Sequence, residues 1–294
     1  MFSYIGGKSV HSKWLDPLFP DDFSTYVEVF GGAFWMYWMS KKTPATTNIY
    51  NDFNRHLVNV FTCASTDPGH FHSVLLSYYP WINDEDKYNE FRTEIFGDFE
   101  RAFNIPDYDL AAKYMFLQTH HFSGGTGLGP TTKIYKELKY KPKFITFTEK
   151  FTQRKYLEKL DVMSCENMDC RDLIRKYDHK DTFFYIDPPY FKMEDYYTKN
   201  SFGYNDHIEL IELMKQTKGR WALSYYYFDE LEQLLPRDQY VWHEEKTISV
   251  NGLSKSDGAT TKNGKPAKGV RTSRTEIVVM NYHKENSFDN LFEI

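Results

Sequence analysis

Short apolar runs rich in β-branched and aromatic side chains alternate along this chain with segments whose apolar residues recur at three- and four-residue spacing. The first pattern predicts strands and the second predicts helices with one buried face. Strands are expected at 26–30, 47–51, 161–165, 183–187 and 221–226, with later ones near 240–250 and 275–283. Helices are expected at 33–41, 54–66 and 148–160; Asp206, followed three residues later by Glu209, predicts an N-cap opening a helix to about Lys215. From about 69 to 122 the alternation stops. Tyr88, Phe91, Ile95 and Phe99 recur at helical spacing, as do Leu110, Tyr114, Leu117 and His121, so a helical block interrupts an α/β pattern.

One strand runs directly into unusual chemistry. Phe183-Phe184-Tyr185-Ile186 leads into Asp187-Pro188-Pro189-Tyr190, and two consecutive prolines forbid both helix and ladder pairing. The chain must leave the sheet in a fixed turn that carries a carboxylate, rigid carbonyls and an aromatic ring. In open α/β sheets ligands bind at that end of a strand. A flat base could stack on Tyr190 while its exocyclic amine donates to Asp187 and to the Pro188 carbonyl. Taken alone, the tetrapeptide reads equally well as a strand end closed by a proline turn.

Three further pieces fall in order. Phe2-Ser3-Tyr4-Ile5-Gly6-Gly7-Lys8 stands first, and Val27-Glu28-Val29-Phe30-Gly31-Gly32-Ala33-Phe34 is a strand opening onto glycines. Asn48-Ile49-Tyr50-Asn51-Asp52 then ends a second strand with an acid, in the strand, glycine turn, helix and acid order of nucleotide-binding folds. The glycines lack the dinucleotide spacing.

Together the four pieces resemble the Dam-type family of DNA adenine-N6 methyltransferases, over about 1–55 and 160–285. The resemblance implies a Rossmann-like α/β methyltransferase sheet with helices on both faces, formed by residues 1–55 and 148–294. It also implies a mainly helical target-recognition insert at 56–147. It implies S-adenosyl-L-methionine as cofactor, double-stranded DNA as partner, and a monomer or weak dimer. Carried onto matching positions, Tyr4, Lys8, Glu28, Phe30, Gly31, Gly32, Asp52, Asp169 and Asp187 are the expected cofactor residues, and Asp187, Pro188, Pro189 and Tyr190 the catalytic ones. Two departures stand out. Phe34 replaces the second glycine of the turn, and Phe122-Ser123-Gly124 only partly matches the family's recognition stretch, so no target sequence such as GATC follows.

Composition narrows the class without choosing within it. Hydrophobic content of 41% and charged content of 26% over 294 residues describe a soluble globular chain. No run of 18 apolar residues and no charged-then-apolar leader is present, so a cytoplasmic protein without a membrane span is expected. Cys63, Cys165 and Cys170 have no metal spacing and are expected to be reduced and structural. The pairs His70/His72 and His120/His121 lack partners at metal spacing, so no metal is expected. Gly7-Lys8-Ser9 mimics a phosphate loop but lacks its first glycine and preceding strand, and Ser123-Gly124-Gly125-Thr126-Gly127-Leu128-Gly129 reads as a loop.

A net charge of −5 is not the footprint of a phosphate binder, yet the charge is uneven. Lys246 to Arg274 is basic and rich in Gly, Ser, Thr and Asn, and Lys133 to Lys155 interleaves lysines with Tyr135, Tyr140, Phe144 and Phe147. Lys133, Lys139, Lys141, Lys262, Lys265, Lys268 and Arg271 are therefore the expected DNA-backbone contacts.

An adenine amine is a poor nucleophile because its lone pair is delocalised into the ring. Two acceptors drawing its N–H bonds favour a pyramidal nitrogen whose lone pair points at the donor methyl, so catalysis is mainly positioning and electrostatics. Within a duplex the base must first leave the stack. The same pocket could serve another planar amine (RNA adenine, cytosine-N4 or glutamine), or the chain could be an inactive DNA-binding protein that retains its cofactor.

Overall fold

Every residue of Thr182–Ile186 is buried, which requires cover on both faces of its strand. This strand is central in the sheet of a computed structural model that describes residues 2, 8, 11–98, 101–120, 143–190, 202–248 and 273–284. In chain order the strands are β1 (Thr25–Glu28), β2 (Thr47–Asn51), β3 (Met163–Glu166), β4 (Thr182–Ile186), β5 (Arg220–Tyr226), β6 (Val241–Ile248) and β7 (Ser273–Met280). Across the sheet they run β3-β2-β1-β4-β5-β7-β6. β1 to β5 pair in parallel, while β7 runs antiparallel to both β5 and β6. The sheet is the α/β arrangement that the alternation predicts and the Rossmann-like one that the resemblance implies.

Two helical layers cover it. On one side lie α1 (Ser12–Leu15), α2 (Trp35–Met39), α3 (Arg55–Thr66), α4 (Pro68–Ser77), α5 (Glu85–Gly97), α6 (Tyr108–His120), α7 (Lys143–Thr148) and α8 (Arg154–Leu160); on the other lie α9 (Cys170–Tyr177), α10 (Tyr204–Gln216) and α11 (Asp229–Leu234). Successive strand residues feed opposite cores, as a period of two requires. Phe183 and Tyr185 join the first cluster, whereas Phe184 and Ile186 join the second. The β2-to-β3 connection holds α3 to α8, and its buried Tyr88, Phe91, Ile95, Leu110, Tyr114 and Leu117 belong to the same apolar cluster as the sheet face.

Most expected elements stand within a few residues of their observed bounds, and the differences have local causes. The helix expected to open at Asp206 begins at Tyr204, with Gly203 at its N-cap. Asp206 is instead the third helical residue, and its carboxylate accepts from the Gly203 N–H at 2.8 Å. The 148–160 helix is divided: α7 ends at Thr148, a 3₁₀ turn spans Glu149–Thr152, and α8 follows. The final strand stops at Met280 because the Asn281 side chain takes over its pairing, accepting from Trp221 N–H at 2.8 Å and donating to the Gly219 carbonyl at 3.0 Å. Cys63 and Cys170 are buried thiols and Cys165 is partly buried; burial raises all three to about 12. No helix among the described residues is long and apolar enough to cross a membrane.

Candidate active site

β1 has β2 on one side and β4 on the other, so the chain winds outward in both directions from the gap between β1 and β4. Such a reversal opens a crevice beyond the carboxyl ends of the strands. The register places Glu28 beside Tyr185 and Tyr50, so the glycine turn after β1, Asp52 after β2 and Asp187 after β4 emerge along one edge. Asn51 staples that edge. Its amide donates to Val29 O at 2.9 Å and to Met168 O at 3.2 Å, and its oxygen accepts from Met168 N–H at 2.9 Å.

The glycine turn is tightly built. A Cβ on Gly31 would lie 2.3 Å from the Tyr50 ring and 2.8 Å from the Asn51 carbonyl. Gly32 has φ 48° and Phe34 has φ 57°, both in the left-handed region. Phe34, which by the resemblance stands in place of a glycine, thus keeps a glycine-like backbone. Full burial and a 4.3 Å stack on Tyr37 hold the Phe34 ring there. The Asp52 carboxylate accepts from Gly32 N–H and from Asn54 N–H, each at 2.7 Å. Burial raises Asp52 to about 6 against the pull of these two N–H groups. Glu28 lies beneath the turn, accepting from the Tyr26 hydroxyl at 2.7 Å and the Tyr37 N–H at 3.2 Å, and burial pushes it up to about 8. Phe30 packs edge-on against Phe202 at 5.5 Å.

The proline turn stands on the other side of the crevice. Asp187 has a side chain 16% exposed and lies 3.3 Å from the Lys8 ammonium. Burial, opposed by Lys8 and reinforced by Glu276, raises Asp187 to about 6. Pro188 is buried, Pro189 is half-buried, and the Tyr190 ring lies 5.2 Å from Tyr225 and 4.2 Å from Tyr226. The Tyr190 hydroxyl accepts from Lys8 and donates to Glu276 at 2.6 Å, and Lys8 also pairs with Glu276. Ser224 donates to the same Glu276 oxygen at 2.9 Å. Burial alone would lower the Lys8 ammonium's pKa; the Asp187 and Glu276 carboxylates override it and hold Lys8 above its ordinary value.

Lys8, far from Asp187 and Tyr190 in sequence, meets both in one cluster, and the glycine turn and Asp52 flank it. Asp169 stands farther along the edge as the N-cap of α9, accepting from Arg171 N–H at 2.8 Å; hydrogen bonds from the Arg171 side chain hold it below the usual carboxylate range. Tyr4, Lys133, Lys139, Lys141, Lys262, Lys265, Lys268 and Arg271 lie outside the described residues. His120 is structural: both ring nitrogens face backbone carbonyls, of Phe116 and Ile82.

Sequence reading missed Glu276 and Ser224. Only the burial of Glu276 had a signal: it is in phase with the apolar Val278 and Met280, and a carboxylate on such a face requires a partner, but the pattern does not say which.

A family model, the D12 class N6 adenine-specific DNA methyltransferases, matches residues 4–251. The chain belongs to that family. It is also similar to the modification methylase StsI of Streptococcus sanguinis, at 24% identity over an alignment covering 95% of this chain and 42% of that protein. The chain therefore spans less than half the length of this curated relative.

Proposed function

We propose that the chain transfers a methyl group from S-adenosyl-L-methionine to the exocyclic N6 of an adenine flipped out of a specific site in double-stranded DNA. One observation carries the proposal. The Asp187 carboxylate and the adjoining Pro188 carbonyl stand at the carboxyl end of β4, next to the strand that ends in the glycine turn and two strands from Asp52.

The residues present fit the cofactor. An ionised carboxylate offers about four lone-pair positions; Asp52 uses one for Gly32 and one for Asn54, leaving room for two ribose hydroxyls. Tyr4, Phe30, Gly31 and Gly32 complete its seat, Glu28 supports the turn from beneath, and Asp169 receives the purine amine. When bound, the cofactor supplies an electrophilic methyl on a sulfonium. Asp187 and the Pro188 carbonyl each accept one N–H of the adenine amine, turning its lone pair toward that methyl. Tyr190 offers a ring for stacking, worth about 1–3 kcal/mol. Once the nitrogen carries four bonds, its surplus proton leaves toward the Asp187 side.

Residues 56–147 serve as the target-recognition insert of the catalytic domain formed by 1–55 and 148–294. The lysines of 133–155 and the basic 246–274 segment neutralise DNA phosphates. The test is tritiated-methyl transfer from the cofactor to DNA, RNA and protein in parallel. Label should enter DNA alone and appear as N6-methyladenine after digestion. Label in RNA or protein, or at cytosine, would overturn the reading.

A further inference from the structure

Glu276 is 1% exposed, sits in the middle of β7, and lies beyond the segment that matches the family model. A carboxylate so placed is costly unless it is paired and its lone pairs are satisfied. It is both. It accepts from Tyr190 and Ser224 and pairs with the Lys8 ammonium, which also faces Asp187. A single cation thus serves two acids, one on the proline turn and one on a late strand of the sheet.

We propose that Glu276 is a positioning residue: by clamping the Tyr190 hydroxyl and the Lys8 ammonium, it fixes the stacking ring and the cation beside Asp187. The inference rests on the methylation reading and extends it to a residue that touches neither base nor cofactor. Anchoring the phenol at its far end removes the freedom of a ring otherwise packed against Tyr225 and Tyr226.

The clamp also bears on the charge of Asp187. The groups facing this carboxyl are Lys8 from the N-terminal segment, Glu28 on β1, Tyr185 and Tyr190 on β4 and its turn, and Glu276 on β7, with Ser224 and Tyr226 of β5 beside Glu276 and Lys8. With Glu276 neutralised, Lys8 has Asp187 as its one remaining carboxylate partner in this cluster. Asp187 then gives up its proton at lower pH.

The test uses the full chain and three variants. Glu276→Gln keeps an acceptor for Tyr190 but removes the charge, Tyr190→Phe removes the hydroxyl but keeps the ring, and the third variant combines the two. Asp187 is titrated by carbon NMR of aspartate-labelled protein, with Asp187→Asn assigning its signal, and kcat is followed against pH. In Glu276→Gln both the carboxyl titration and the acid limb of kcat should move to lower pH by the same amount. Tyr190→Phe should lower kcat by about tenfold, roughly the 1.4 kcal/mol of one hydrogen bond to a charged group, with the KM for cofactor within threefold. The combined variant should be no slower at its pH optimum than the slower single one. An unmoved Asp187 titration in folded Glu276→Gln, losses that multiply in the combined variant, or Tyr190→Phe at the wild-type rate would each overturn the inference. Should wild type methylate no DNA, the proposed function fails instead, while the NMR titration still decides the role of Glu276.

Discussion

Tyr190 donates its hydroxyl proton to Glu276 across 2.6 Å, joining the turn after β4 to the middle of β7. The ring proposed to stack on the base is therefore held by a strand two places away in the sheet. Asp187, one turn away, meets the same network through Lys8 at 3.3 Å.

Asp187→Ala should lower kcat by at least about a hundredfold, the scale of removing one transition-state hydrogen bond. Cofactor affinity should stay within tenfold, because Asp52 and the glycine turn are untouched. Single-turnover methylation alongside equilibrium cofactor binding checks both. Near-wild-type turnover would remove Asp187 from the reaction.

The rate should fall with acid. Asp187 is raised to about 6 and must be ionised to accept the amine protons, so kcat is flat above that pH and drops about tenfold per pH unit well below it. Asp52 is also raised to about 6, so cofactor affinity weakens over the same range. A pH profile of kcat at saturating cofactor separates the two. A flat profile down to pH 4 would contradict the assignment.

Glu28 should make stability depend on pH. Its folded value of about 8 lies above the ordinary 4.5, so the fold favours its protonated form. That contribution is complete below 4.5 and fades as the pH rises through 8, on the order of 3 kcal/mol lost by pH 7. Glu28→Gln cannot titrate. Its unfolding free energy in urea should vary less between pH 5 and pH 8 than that of wild type, and an equal slope would refute the burial argument.

Phe34 combines a strained backbone with a buried ring. Phe34→Ala should cost about 3–5 kcal/mol for the lost ring. Phe34→Gly loses the same ring but relieves the left-handed strain of about 1–2 kcal/mol. Glycine should therefore be the less destabilising replacement, the reverse of the usual order near a helix. Thermal unfolding of the two variants decides the sign.

Neutralising Lys262, Lys265, Lys268 and Arg271 together should weaken DNA binding and flatten its salt dependence, by up to about 0.9 in log–log slope for each phosphate no longer paired with a cation. An unchanged slope would exclude this segment as a phosphate clamp.

Much of the architecture was legible because strand runs such as 183–186 are apolar throughout and end at prolines or glycines. Asp187, Lys8 and Asp52 were legible because each follows a distinctive local string. Glu276 was not, since its role depends on β7 pairing beside β5, and no short pattern encodes that adjacency. Asp206 misled for a related reason: an acid three residues into a helix looks, in sequence alone, like the acid that opens one. Phe34 concealed its backbone state because an aromatic residue gives no hint of a positive φ.

β7 follows β6 along the chain, yet it lies between β5 and β6 in the sheet. During synthesis β5 and β6 must wait, unjoined, until the ribosome has released the strand that separates them. Until then Lys8 has only one of its two counter-ions, and the Tyr190 phenol lacks its anchor. A nascent chain should accordingly hold its Tyr190 ring and its Lys8 ammonium loosely until that intervening strand has docked.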